Sequence, residues 1–137
     1  MTVTDQGAPV EPAREPTRWT RVCSLGQLIP ERGIAALVGP DPVALFLLED
    51  GPEGVRVHAV GHRDPFSNAN VMARGIIGSV GAGDSYRDTV ASPMYKQVFD
   101  LATGECLTEP GTRLPVHPVR IVDGHVEVGP PVRGGGP

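Results

Sequence analysis

Glycine and proline punctuate this 137-residue chain too densely for any long helix to form: 18 residues are glycine and 15 are proline. That is about twice their ordinary combined usage. Glycine inside a helix leaves too much backbone freedom unrestrained, and proline removes a donor and clashes with the preceding turn. The chain is therefore expected to be all-β, a small antiparallel sandwich or barrel of short strands joined by tight turns. A helical bundle and a coiled coil are excluded. No run of about 18 apolar residues occurs, so no membrane-spanning helix and no membrane partner are expected.

Charge narrows the function classes. Twelve basic and sixteen acidic residues give a net charge of −4. Eleven of the basic residues are Arg, and Lys96 is the single Lys. Nucleic-acid binding through phosphates needs clustered positive charge, so it is not expected. The two cysteines, Cys23 and Cys106, form no disulfide framework. The N-terminus has no basic start followed by an apolar core, so no secretory signal is read there and the cytoplasm is expected. Thiols stay reduced in that compartment, although spacing alone leaves a Cys23–Cys106 disulfide open.

Composition divides the chain. Residues 1–17 and 129–137 are rich in Pro, Gly and polar groups and are expected to be disordered tails. The segment 18–128 is then one folded domain. Within it, strands are expected at Trp19–Cys23, Ile34–Val38, Val43–Leu48, Val55–Val60, Val90–Ser92, Gln97–Leu101, Glu105–Thr108, His117–Val122 and His125–Val128. Ser24 is placed to cap a single helical turn before Pro30. Asp123-Gly124 supplies the positive φ values of a two-residue hairpin turn. The segment 61–96 reads as irregular, with a flexible glycine-rich turn over 78–83 that lacks the helix needed for a phosphate cradle. Irregular segments of that length in a small domain are usually functional.

Two stretches of the chain carry a resemblance. One is His62-Arg63-Asp64-Pro65-Phe66-Ser67-Asn68-Ala69. The other is Ala91-Ser92-Pro93-Met94-Tyr95-Lys96-Gln97-Val98-Phe99-Asp100-Leu101, which continues into Ala102-Thr103-Gly104. Over about 18–128 the chain resembles the Rieske-type domain, whose two loops present Cys-x-His and Cys-x-x-His to a [2Fe–2S] cluster. The stretch from Leu114 to Ile121, with Asp123-Gly124 and Val126, is similar to that family's closing strands. The resemblance implies a Rieske-like fold whose cluster-binding-type subdomain spans 61–100. The four ligand positions depart together: Asp64 and Phe66 stand in the first loop, Ser92 and Tyr95 in the second. Phe66 has no donor atom and Ser92 is a poor iron ligand, whereas iron–sulfur clusters are held by soft thiolates.

Asp-Pro-Phe-Ser, Ser-Pro-x-Tyr-Lys-Gln and the Arg74-Gly75-Ile76 segment together resemble one branch of that superfamily. It is formed by the small subunits of assimilatory NAD(P)H-dependent nitrite reductases. The resemblance implies a non-catalytic partner of a large subunit that carries FAD, siroheme and an iron–sulfur cluster and reduces nitrite to ammonia. It implies no catalytic, cofactor-binding or metal-binding residue in this chain. An electron-carrying Rieske ferredoxin of an oxygenase, and an interaction module for another oxidoreductase, are the alternatives.

The residues admit plainer readings beside these. Asp64 and Ser92, with His62 nearby, could outline a hydrolytic triad. Ser92 lacks a nucleophile elbow, however, and is followed by Pro93, which has no N–H to donate to an oxyanion. Hydrogen bonding to the loop backbone is the expected role of both residues. His117 and His125 read as lying on opposite arms of the last hairpin, which leaves a cross-strand metal pair open. Cys106 reads as a small buried apolar residue. Phe66, Met94 and Tyr95 are expected to plug the volume of a cluster, to form a docking tip with Pro65 and Pro93, or both. Arg74 and Lys96 read first as surface charges and second as contacts to the partner.

Overall fold

The run Val43–Leu48 contains no polar residue, and the fold is organised around it. An apolar run without alternation suits a strand covered on both faces. In the computed structural model, which describes residues 18–51 and 54–132, all six side chains are buried. They lie in β3 (Asp41–Gly51), the long strand of a sheet that also contains β2 (Ile34–Val38), β4 (Gly54–Gly61) and β8 (Val116–His117), in the order β2-β3-β4-β8. Because side chains alternate across a strand, Val43, Leu45 and Leu47 face one core and Ala44, Phe46 and Leu48 the other.

The first core is closed by a sheet of β1 (Thr20–Ser24), β9 (Val119–Val122) and β10 (His125–Val128), in the order β9-β10-β1. Val126 and Val128 fill it from that side. The second core is closed by β5 (Ile76–Val80), β6 (Arg87–Ala91) and β7 (Val98–Asp100), in that order, through Val90 and Phe99. Met72, Leu101, Cys106 and Leu114 complete it. All pairings between strands are antiparallel. The all-β expectation therefore holds, with the four-stranded sheet as the middle of three layers.

Local chemistry explains the joints. Asp123 (φ 51°) and Gly124 (φ 77°) both take positive φ, as a two-residue hairpin between β9 and β10 requires. Ser24 caps a 3₁₀ turn over Leu25–Gln27, and Gln27 Oε1 accepts from the Ser24 N–H at 2.8 Å. Arg120 joins the outer layer together: it hydrogen-bonds Glu127 at 2.8 Å across the strands and stacks over the Trp19 ring at 4.3 Å. That hydrogen bond and the two nearby guanidinium groups hold the Glu127 carboxyl below its ordinary pKa. Arg56 on β4 reaches Asp88 on β6 at 2.9 Å and so ties the middle layer to the third.

Several expectations are corrected. The segment 76–80, read as irregular and partly as a flexible glycine turn, is a strand, because Ile77 packs on the core and pairs opposite buried Val90. β6 begins at Arg87 rather than Val90. Glu105–Thr108 is not a strand: Glu105 and Cys106 make only isolated bridges, to Arg113 and Phe99, and the chain then bends over 107–109. His117–Val122 is split at Pro118, which cannot donate to a ladder, so β8 and β9 belong to different sheets. Residues 129–132, expected to open a disordered C-terminal tail, are instead placed against the fold. Gly129 is buried and Val132 donates to the Val116 carbonyl at 2.7 Å. The expected tail at 1–17 and the remainder of the other, 133–137, lie outside the described residues.

Candidate functional site

The two loops singled out by sequence leave the middle sheet and the third sheet and meet each other. Both are built on one local plan. In the first, the Asp64 N–H donates to the Ala69 carbonyl at 2.8 Å and the Asn68 N–H returns to the Asp64 carbonyl at 2.7 Å. In the second, the Ser92 N–H donates to the Gln97 carbonyl at 2.9 Å and the Lys96 N–H returns to the Ser92 carbonyl at 3.0 Å. The fifth residue of each turn is left-handed: φ is 63° at both Asn68 and Lys96. The side chain that opens each turn accepts from the N–H two residues on. Phe66 N–H donates to Asp64 Oδ1 at 2.8 Å, and Met94 N–H to Ser92 Oγ at 3.2 Å. A third copy of the plan runs from Asp100 to Glu105, with Asp100 Oδ1 accepting from Ala102 at 2.8 Å and Gly104 left-handed at φ 79°.

The loops then close on one another. Ser92 Oγ donates to Asp64 Oδ2 at 2.5 Å, and both side chains are fully enclosed. Such a bond to a carboxylate oxygen is of the short, charge-assisted kind. Each carboxylate oxygen of Asp64 therefore has a partner, one in its own loop and one in the other. Phe66 is half-buried against the second core, its ring 6.4 Å from that of Phe99 and tilted by 46°. The far end of the second loop is tied down by Thr108, whose hydroxyl donates to Gln97 Oε1.

Met94 and Tyr95 depart from the expected plug. They are 48% and 60% exposed and form an apolar tip outside the closed loops. Only Phe66 of the three fills interior space. Pro65, Arg74 and Lys96 are also exposed, and Pro93 is half-buried.

These residues do not suit the [2Fe–2S] cluster that a Rieske frame implies. Such a cluster needs two thiolates on one iron and two imidazoles on the other. The four positions instead carry a carboxylate, a phenyl ring, a hydroxyl and a phenol, and the two buried donors already satisfy each other and the loop backbone. Cys23 and Cys106 are unpaired thiols in different cores, on opposite sides of the middle sheet, so neither a disulfide between them nor a shared ligand role follows. Burial raises the Cys23 pKa.

The histidines do not supply the missing ligands. His117 lies opposite Ala59 in the middle sheet and its Nδ1 is 2.9 Å from the Gly129 carbonyl oxygen, while His125 lies opposite Val122 in the outer sheet. The cross-strand pair left open by the sequence is not formed. His62 Nδ1 accepts from the Ala73 N–H at 3.1 Å, away from Ser92, so no hydrolytic triad assembles. Burial, and secondarily the Arg74 charge, lower the His62 pKa. His58 also has a lowered pKa, chiefly because burial disfavours its charged form. Among the described residues, no three of His, Cys, Asp and Glu gather where they could hold a metal ion. A cleft of about 630 Å³ opens beside the first loop, lined by His62, Arg63, Asn68, Pro115 and His117 among others.

The expected backbone bonding of Asp64 and Ser92 is present, but the bond between them was missed. No short-range pattern encodes contact between residues 28 positions apart. The left-handed turns offered a weak signal in Asn68, a residue type enriched in that conformation, and none in Lys96.

Comparison with known proteins agrees with the fold. Residues 18–129 match the family of Rieske-like [2Fe-2S] domains. The chain is 31% identical over 112 residues to the small subunit of nitrite reductase (NADH) from Escherichia coli K12, spanning 82% of this chain and 97% of that protein. It is 33% identical over 124 residues to the nitrite reductase [NAD(P)H] large subunit of Klebsiella oxytoca, spanning 90% of this chain but 12% of that protein. A crystal structure from Mycobacterium tuberculosis, assigned as an NADH-dependent nitrite reductase small subunit, superposes with a TM-score of 0.72 at 45% identity. It covers 81% of this chain and 93% of that one. With its loop frame kept and its ligand positions replaced, the chain belongs to the Rieske-like domain family and is a homologue of the small subunit of NADH nitrite reductase.

Proposed function

We propose that this chain works in the cytoplasm as a subunit without an active site, binding and ordering a nitrite reductase large subunit. That large subunit would carry the FAD, siroheme and iron–sulfur cluster that move electrons from NAD(P)H to nitrite. The observation that carries the reading is the closed Asp64–Ser92 contact, in which the two buried side chains at ligand positions of the Rieske frame engage each other. The Klebsiella protein supports the choice of partner, because there a copy of this domain occupies 12% of a large-subunit chain. The two functions share one polypeptide in that protein, and in this chain the same association would be made non-covalently.

The docking element is the subdomain 61–100, through Pro65, Phe66, Arg74, Pro93, Met94, Tyr95 and Lys96. Exposed aromatic, Met and Arg side chains beside a rigid frame are the residue types that anchor interfaces. The test is co-expression with the large subunit. Omitting this chain is expected to lower NAD(P)H-dependent nitrite turnover while the siroheme and FAD content of the large subunit stays the same. The pair Met94→Asp, Tyr95→Asp should weaken the complex at least about tenfold, as loss of an anchor does. Unchanged turnover by the large subunit alone would overturn the proposal.

A further inference from the structure

β5 is an edge strand of an unusual kind. Its backbone pairs with β6 on one side, and among the described residues no other backbone segment hydrogen-bonds to 76–80. Half of the N–H and C=O groups of an antiparallel edge strand point away from its sheet and remain open. Proteins ordinarily guard such edges with charge, proline or a covering segment. Here Gly75-Ile76-Ile77-Gly78-Ser79-Val80-Gly81-Ala82-Gly83 is nine residues without a charge or a proline. Ile76 is 71% exposed and Val80 42%.

The other edges are guarded or flanked. β9 carries Arg120, β1 carries Arg21, and β2 lies against β1 and the 72–74 turn. β7 is bridged by Cys106 and β8 by Val132. The open edge is also placed beside the proposed docking tip. The register sets Ile76 opposite Ala91, one residue before Ser92, so the strand starts at the base of the loop that carries Met94 and Tyr95.

We infer that β5 is completed by an extended strand of the nitrite reductase large subunit, which adds to the third sheet through main-chain hydrogen bonds and lays alternate apolar side chains along Ile76 and Val80. The inference rests on the partner reading above and adds to it a surface and a mode of binding. The chain's own N-terminal segment is a poor occupant, because Pro9, Pro12 and Pro16 each lack the N–H that strand pairing uses. Self-pairing of two copies is not needed where, as in Klebsiella, one domain shares a chain with one large subunit.

The experiment is residue-resolved amide exchange of the full chain, free and in complex with the co-expressed large subunit, together with the affinity of Ile76→Lys and of Leu37→Lys as a control on the β2 edge. In the complex, every second amide across 76–80 is expected to slow. Ile76→Lys should weaken binding at least about tenfold and Leu37→Lys by no more than about twofold. A complex that forms normally with unchanged exchange at 76–80, or that tolerates Ile76→Lys, overturns this inference and leaves the partner reading standing. Failure to form any complex overturns both. Slowing of these amides in the free chain as its concentration rises would assign the edge to self-association and also overturn it.

Discussion

Ser92 and Asp64 show how two residues can keep a loop pair closed after its original ligands are gone. Each oxygen takes a hydrogen bond from the N–H two residues on, and the two side chains then meet. Both are enclosed, so the partners matter more than the bond itself. Removing one leaves the other buried without a match, which costs about 1–3 kcal/mol. Ser92→Ala is therefore expected to lower unfolding stability by about that amount, read from the denaturant midpoint. Tyr95→Ala, at a position that is 60% exposed, should change stability by no more than about 0.5 kcal/mol. Equal effects at the two positions would contradict the division between a structural pair inside and an exposed residue outside. The backbone bonding of Asp64 and Ser92 was legible in the sequence, because short polar side chains at the start of turns do this. The exposure of Met94 and Tyr95 was not legible, because it depends on where the closed loop leaves them.

Turns and strands were read with uneven success, and the reasons are local. Asp123-Gly124 was legible because a two-residue turn needs two positive φ values and few residue pairs supply them. β5 was missed because Gly78, Gly81 and Gly83 mimic a flexible loop. What makes 76–80 a strand is Ile77 on the core and the pairing with β6, which are tertiary. Pro118 marked a break that was read through. Two left-handed glycines test the turn account directly. Gly124 (φ 77°) faces open space, so Gly124→Ala should cost only the backbone penalty of about 1 kcal/mol. Gly104 has a similar φ (79°), but a Cβ there would collide with the Leu114 carbonyl oxygen. Gly104→Ala should then cost about 2–4 kcal/mol. Thermal unfolding of the two variants checks this, and similar melting shifts would show that the close approach is not what demands glycine at 104.

At the scale of the whole molecule, the all-β class followed from composition, but the three-layer arrangement did not. Its signal was present in Val43–Leu48, where six apolar residues without alternation require cover on both faces. The consequence for function is that the loop pair rests on the second core through Phe66, Met72 and Phe99. A closed pair of loops with an apolar tip is suited to recognition by a partner, and the proposed function assigns it no electron-accepting group of its own. The claim on which this depends is that the loops are closed by Asp64 and Ser92 and hold no cluster. Iron and acid-labile sulfide, assayed together with the visible spectrum of the chain purified without oxygen, test it most directly. The expected result is a colourless protein with iron and sulfide far below one equivalent; a brown protein holding two irons and two sulfides per chain would contradict the account.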